Sequence, residues 1–69
     1  MTVYIVADLA PGYDALRTPY WRTMGVFNSL ALAKGFASPM SIVTQWEDHD
    51  LAFKVHRSRV LSGNYKVIP

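Results

Sequence analysis

Only the stretch from Asn28 to Ser38 carries a helical period in this 69-residue chain, and segments rich in β-branched and aromatic residues flank it on both sides. One helix among strands leaves few architectures: a small sheet with that helix laid across it. Nearly every residue is then needed to build a single apolar layer, so little chain remains to enclose a substrate pocket.

Local signals set the helix limits. Asn28 is a good N-cap, and Phe27 before it can staple onto Leu32. At about 100° per residue, Leu30, Leu32, Ala33, Phe36 and Ala37 fall on one half of the wheel, with Ala31, Lys34 and Gly35 outside it. Ser38-Pro39 ends the run, because proline lacks the amide and disfavours helix in the residue before it.

The remaining segments read as strands. Thr2 to Leu9 alternates Val3, Ile5 and Ala7 with Tyr4, Val6 and Asp8, and stops at the Pro11-Gly12 turn. No period holds between Pro11 and Pro19, which reads as a loop, either a binding element or a plain long connection. Tyr20 to Phe27 forms the second strand. Within it Gly25 marks a bulge, a close approach of the helix, or simply a tolerated glycine. Ser41 to Trp46 forms the third, and Glu47 to Asp50 a turn. Leu51 to Val60 reads as a fourth strand with Leu51, Phe53 and Val55 inward and Ala52, Lys54, His56 and Ser58 outward. Ser62-Gly63-Asn64 reverses the chain into a short strand from Tyr65 to Ile68.

The expectation is therefore one α+β domain over residues 1 to 69, a four- or five-stranded antiparallel sheet with a single helix on one face, in the order ββαβββ. Its core is expected to contain Val3, Ile5, Trp21, Phe27, Leu30, Ala33, Phe36, Ala37, Ile42, Leu51, Phe53 and Val55. Arg57 and Arg59 break the pattern, since they share the inward register. Either the strand bulges after Val55 or it runs past the core; both options gather guanidinium groups at the sheet's end.

With no cysteine and no zinc-spaced His and Cys, stability must come from apolar burial or self-association, which fits a reducing, cytoplasmic setting. Charged residues are 17% of the chain against an ordinary figure of roughly 25%, and 51% are apolar, so some apolar surface is left over for an interface or a homodimer. No run approaches a membrane span, and Thr2 to Leu9 lacks the basic prelude of a signal peptide. The net charge of +2 is small but polarised. Glu47, Asp48 and Asp50 cluster together, whereas Lys54, Arg57, Arg59 and Lys66 follow with no acid among them.

Three constellations invite chemistry. His49 among Glu47, Asp48 and Asp50 has metal-ligand types, but the spacing is that of a hydrated turn, and neither metal nor cofactor is expected. His49 or His56 could serve as base to Ser41, Ser58 or Ser62, yet no nucleophile elbow or glycine-rich phosphate loop accompanies them, so no enzyme is expected. The third is the basic and aromatic group Tyr20, Arg22, Lys54, His56, Arg57, Arg59 and Lys66, whose residue types suit either protein hot spots or stacking on nucleic acid. Low charge density favours a protein partner, because affinity for phosphate chains draws on many neutralised contacts.

Tyr4-Ile5-Val6, Ser29-Leu30 with Ala33-Lys34 and Ala37-Ser38, and Leu51-Ala52-Phe53-Lys54, set in that order of strands and helix, resemble small bacteriophage proteins that inhibit host machinery, including some type I anti-CRISPR proteins. The resemblance implies a stoichiometric inhibitor or modulator that covers a functional surface of a larger protein or nucleoprotein complex. It implies also that the partner's surface is acidic, or that nucleic acid is displaced from it. The bottom-up expectation is the same class, a non-enzymatic binding module acting through an open sheet face or an edge strand. The alternative is a small nucleic-acid-binding protein using the basic and aromatic group.

Overall fold

The computed structural model describes residues 1–12 and 18–69. Residues 13–17, most of the Pro11 to Pro19 connection, lie outside the described residues.

The elements run β1 (Val3–Ala10), β2 (Tyr20–Phe27), α1 (Leu30–Phe36), β3 (Ser41–Trp46), α2 (His49–Ser58) and β4 (Lys66–Ile68). The four strands form one antiparallel sheet in the order β2-β1-β3-β4. The fold is α+β with an antiparallel sheet, as expected, but among the described residues its order is ββαβαβ, with two helices rather than one.

The correction lies at Leu51 to Val60, expected to be a strand after a turn at Glu47 to Asp50, where His49–Ser58 is a helix. Asp48 caps it: its side-chain Oδ1 accepts from Leu51 N at 3.0 Å, and Asp50 in the first turn and His56 and Arg57 in the last complement the helix dipole. Alternation of Leu51, Phe53 and Val55 fits a strand, but the same segment also places Ala52, Val55 and His56 on one helical face. Burial follows the helical period. Ala52 is fully buried and Val55 nearly so, whereas Leu51 and Phe53 are 41% and 37% exposed. Arg57 and Arg59 seemed out of register only because the period there is not two. The Leu51 to Lys54 segment is thus helical.

Each helix covers its own face of the sheet, which follows from the side-chain alternation of the strands. Val3, Ile5 and Ala7 of β1 and Trp46 of β3 pack with Ala52, Val55 and Leu61, flanked by Trp21, Val26, Ile42 and Tyr65. On the opposite face Val6 and Val43 pack with Ala33, flanked by Tyr4, Phe27, Leu30, Ala37 and Ile68. β1 is therefore buried on both sides, as its nearly continuous apolar sequence permits. Over the central residues of β1 neither sheet face is open.

α1 is shorter than expected and starts one residue later, at Ser29, whose Oγ accepts from Leu32 N at 3.4 Å. Of its expected inner face only Ala33 is fully buried; Leu30 and Ala37 are half-buried, and Leu32 and Phe36 are 59% and 53% exposed. Phe27 packs against Phe36, with ring centroids 5.1 Å apart and the rings tilted by 46°. Gly25 makes room for that pair: a Cβ there would stand 3.1 Å from the Phe27 ring and 3.7 Å from Phe36, the close approach of helix to strand that a glycine allows. Phe36, Leu51 and Phe53 thus leave the expected core. Val6, Ala7, Ala10, Val43, Trp46, Ala52 and Leu61 join it.

Trp46 anchors the larger core. Its ring packs on Tyr65 at 5.4 Å, and its Nε1 donates to Thr44 Oγ1 at 2.8 Å, while Thr44 Oγ1 donates to the Ile5 carbonyl at 3.0 Å. Among the described residues no helix is long and apolar enough to cross a membrane.

Candidate functional site

α2 packs on β2 and β1, and where it ends the chain turns along the outer edge of β2. Arg59 makes that turn in the left-handed region, φ 69°, with its N–H donated to the His56 carbonyl at 3.1 Å. Thr23 N then donates to the Arg59 carbonyl at 3.3 Å and Leu61 N to the Trp21 carbonyl at 2.8 Å, with Arg22 and Val60 facing one another between them. These bonds cover an edge that would otherwise invite another strand.

The same turn builds a cleft of about 480 Å³, lined by Arg22, Thr23 and Met24 from β2 and His56, Arg57 and Arg59 from α2 and its cap. Met24 is the unpaired residue of a bulge: Gly25 pairs with Val6 and Thr23 with Ala7, which leaves Met24 no partner across the ladder. Arg57 and Arg59 are exposed and Arg22 half-buried, and among the described residues none of the three forms an ion pair.

His56 is held by a buried hydroxyl. Thr23, 2% exposed, places Oγ1 3.1 Å from the His56 carbonyl and 3.1 Å from the His56 Nδ1. The hydroxyl has one proton, and the carbonyl can only accept, so Thr23 donates to the carbonyl. Both contacts are then satisfied only when Nδ1 carries a proton and donates to Oγ1. Nε2 is the nitrogen left for a ligand, and it makes no hydrogen bond among the described residues.

Four of the seven expected binding residues, Arg22, His56, Arg57 and Arg59, come together here. The other three do not line the cleft. Tyr20 opens β2, Lys54 is exposed on α2, and Lys66 begins β4 at the opposite edge of the sheet, where it lines a separate groove with Trp46 and Tyr65. Sequence reasoning passed over Thr23 and Met24. The signal for Thr23 was the helical reading of 49–58, which alone puts His56 on the face turned to the sheet.

The acidic group sits at the other end of α2, about 15 Å away for a ten-residue helix. Its members are committed separately. Asp48 caps the helix, His49 contacts Asp50 at 3.4 Å and the Phe53 ring at 4.7 Å, and Glu47 accepts from Gln45 Nε2 at 2.9 Å and Thr2 Oγ1 at 3.0 Å. Those bonds, Gln45 first and Thr2 second, hold the Glu47 carboxyl below the ordinary glutamate range. Among the described residues no three His, Asp or Glu side chains gather as metal ligands would.

Comparison with known proteins finds no matching family model, no matching curated protein and no matching solved structure.

Proposed function

We propose that this chain is a small non-catalytic binding protein that docks on an acidic surface of a larger protein or nucleoprotein complex, and inhibits or modulates that complex by covering the surface. The observation that carries this reading is the cleft lined by Arg22, Arg57 and Arg59, cations for which the described residues supply no counter-ion. Arginine left unpaired is suited to bidentate contact with carboxylates or phosphates of a partner. A non-catalytic role is supported by the lining, which among the described residues offers one imidazole and no carboxylate, serine or cysteine for it to act with.

The nucleic-acid alternative required basic and aromatic side chains on one track. Here Lys54 and Lys66 lie outside the cleft, His56 is the one ring lining it among the described residues, and Asp48 and Asp50 occupy the far end of α2. A compact acidic partner fits that dipolar layout better than an extended phosphate chain. A homodimer would form away from the cleft, at β4, whose outer edge has no strand beside it among the described residues.

The test is affinity purification of the tagged protein from its native host, with and without nuclease, beside an Arg57→Ala/Arg59→Gly variant. A stoichiometric protein that survives nuclease and is lost in the variant supports the proposal. Nuclease-sensitive recovery of nucleic acid would overturn it in favour of the alternative.

A further inference from the structure

We infer that the arginine cleft is a discrete site for a tetrahedral dianion, the phosphoryl group of a phosphorylated protein side chain, with His56 Nε2 as a donor that switches on when the ring is protonated. This deepens the docking reading and rests on it for the partner's class.

Charge count comes first. Three arginines line one cleft of about 480 Å³ with no carboxylate in the lining and no ion pair among the described residues. A single carboxylate would neutralise one of them, whereas a phosphoryl group carries a charge of about −1.5 to −2 and three acceptor oxygens, matching planar guanidinium donors.

Thr23 and His56 define the rest. The Thr23 hydroxyl is used up between the His56 carbonyl and Nδ1, so it orients the ring without touching a ligand. Fixing the proton on Nδ1 makes Nε2 a bare lone pair in the neutral ring, which an oxyanion would face unfavourably. Protonation turns Nε2 into an N–H that donates to the anion. On the elements packed against His56 the described charged groups are Arg22 on β2 and Arg57 and Arg59 beside it. Asp8 of β1 is the cross-strand partner of Arg22, and its carboxylate accepts from Ser41 Oγ with no ion pair to Arg22. Anion binding is thus coupled to proton uptake at His56.

Calorimetric titration of the full chain with sulfate and with acetate, at matched ionic strength, tests this, because sulfate stays a dianion throughout the range in which an imidazole titrates. Sulfate is expected to bind about tenfold more tightly than acetate, and its affinity to rise several-fold between about pH 8 and about pH 5.5. Arg57→Ala, an exposed change, should lower sulfate affinity about fivefold or more, and His56→Gln should flatten the pH dependence. A peptide with one phosphoserine should compete with sulfate, and its unphosphorylated form should not.

Equal binding of sulfate and acetate overturns the site, and a pH-independent sulfate affinity overturns the role of His56. A single-stranded oligonucleotide that displaces sulfate better than the phosphopeptide overturns the assignment to a protein-borne phosphoryl group. If a protein partner is lost on Arg57→Ala while sulfate binds no better than acetate, the oxyanion site fails and the docking reading stands. Sulfate selectivity with no Arg57-dependent protein partner gives the reverse.

Discussion

Asp8 and Arg22 lie directly opposite one another on β1 and β2, yet the Asp8 carboxylate takes its hydrogen bond from Ser41 Oγ on β3. Ser41 turns the nearest strand-borne acid away from Arg22 and leaves that arginine to the cleft. Removing the charge while keeping the acceptor, Asp8→Asn, should therefore raise the cleft's affinity for sulfate about two- to threefold at low ionic strength, an effect that fades as salt is added. Titration calorimetry at two salt concentrations reads it, and an unchanged affinity at low salt would place Asp8 outside the field of the cleft.

Arg59 occupies a backbone region that costs a non-glycine residue roughly 1–2 kcal/mol, and both its backbone hydrogen bonds would survive in glycine. Arg59→Gly should raise stability by about 0.5–1 kcal/mol in urea unfolding while weakening sulfate binding. Stability and binding moving in opposite directions is the mark of strain retained for contact.

The α2 cap can be read separately from its packing. Asp48→Ala removes the side-chain acceptor for Leu51 N and should lower stability by about 1 kcal/mol, whereas Asp50→Ala, which loses only a first-turn charge, should cost about half of that or less. Equal effects in urea unfolding would argue that charge rather than the capping bond holds the helix start.

Thr44 links two buried groups that have no other use for one another. Thr44→Val keeps the shape but strands the Trp46 indole N–H and removes a donor to the Ile5 carbonyl, at a cost of about 2–3 kcal/mol in urea unfolding. The Trp46 fluorescence maximum should move with it, since the indole loses its partner.

Glu47 gives the fold a small acid sensitivity. Its carboxyl is held below the ordinary range in the folded chain, so it contributes stability above the pH at which an unfolded glutamate ionises, and that contribution is lost as pH falls through the lowered folded value. Thermal unfolding of Glu47→Gln should accordingly show less loss of Tm on acidification than the parent chain, with the two converging once the carboxyl is protonated in both.

Features that depend only on neighbours along the chain are legible in the residues alone. β2 and β3 match their expected limits, β1 and α1 differ by a few residues at their ends, and the turn at Gly63 sits where glycine's positive φ of 107° is wanted. The side-chain alternation of β1 was also legible, because a period of two is a property of the strand alone. Four of the cleft's six lining residues were named from residue type, since unpaired arginine is conspicuous in a sparsely charged chain. Tertiary structure decided the rest. Leu51 to Val60 satisfies either period over a short window, and what tips it to helix is the Asp48 cap together with the fit of Ala52 and Val55 onto Val3, Ile5 and Ala7. Once that segment is a helix, the sheet gains a second covered face, β1 is buried on both sides, and small residues replace Leu51 and Phe53 in the core. The position of His56 over Thr23 follows only from that packing, because the two residues are 33 apart in the chain and no local period relates them.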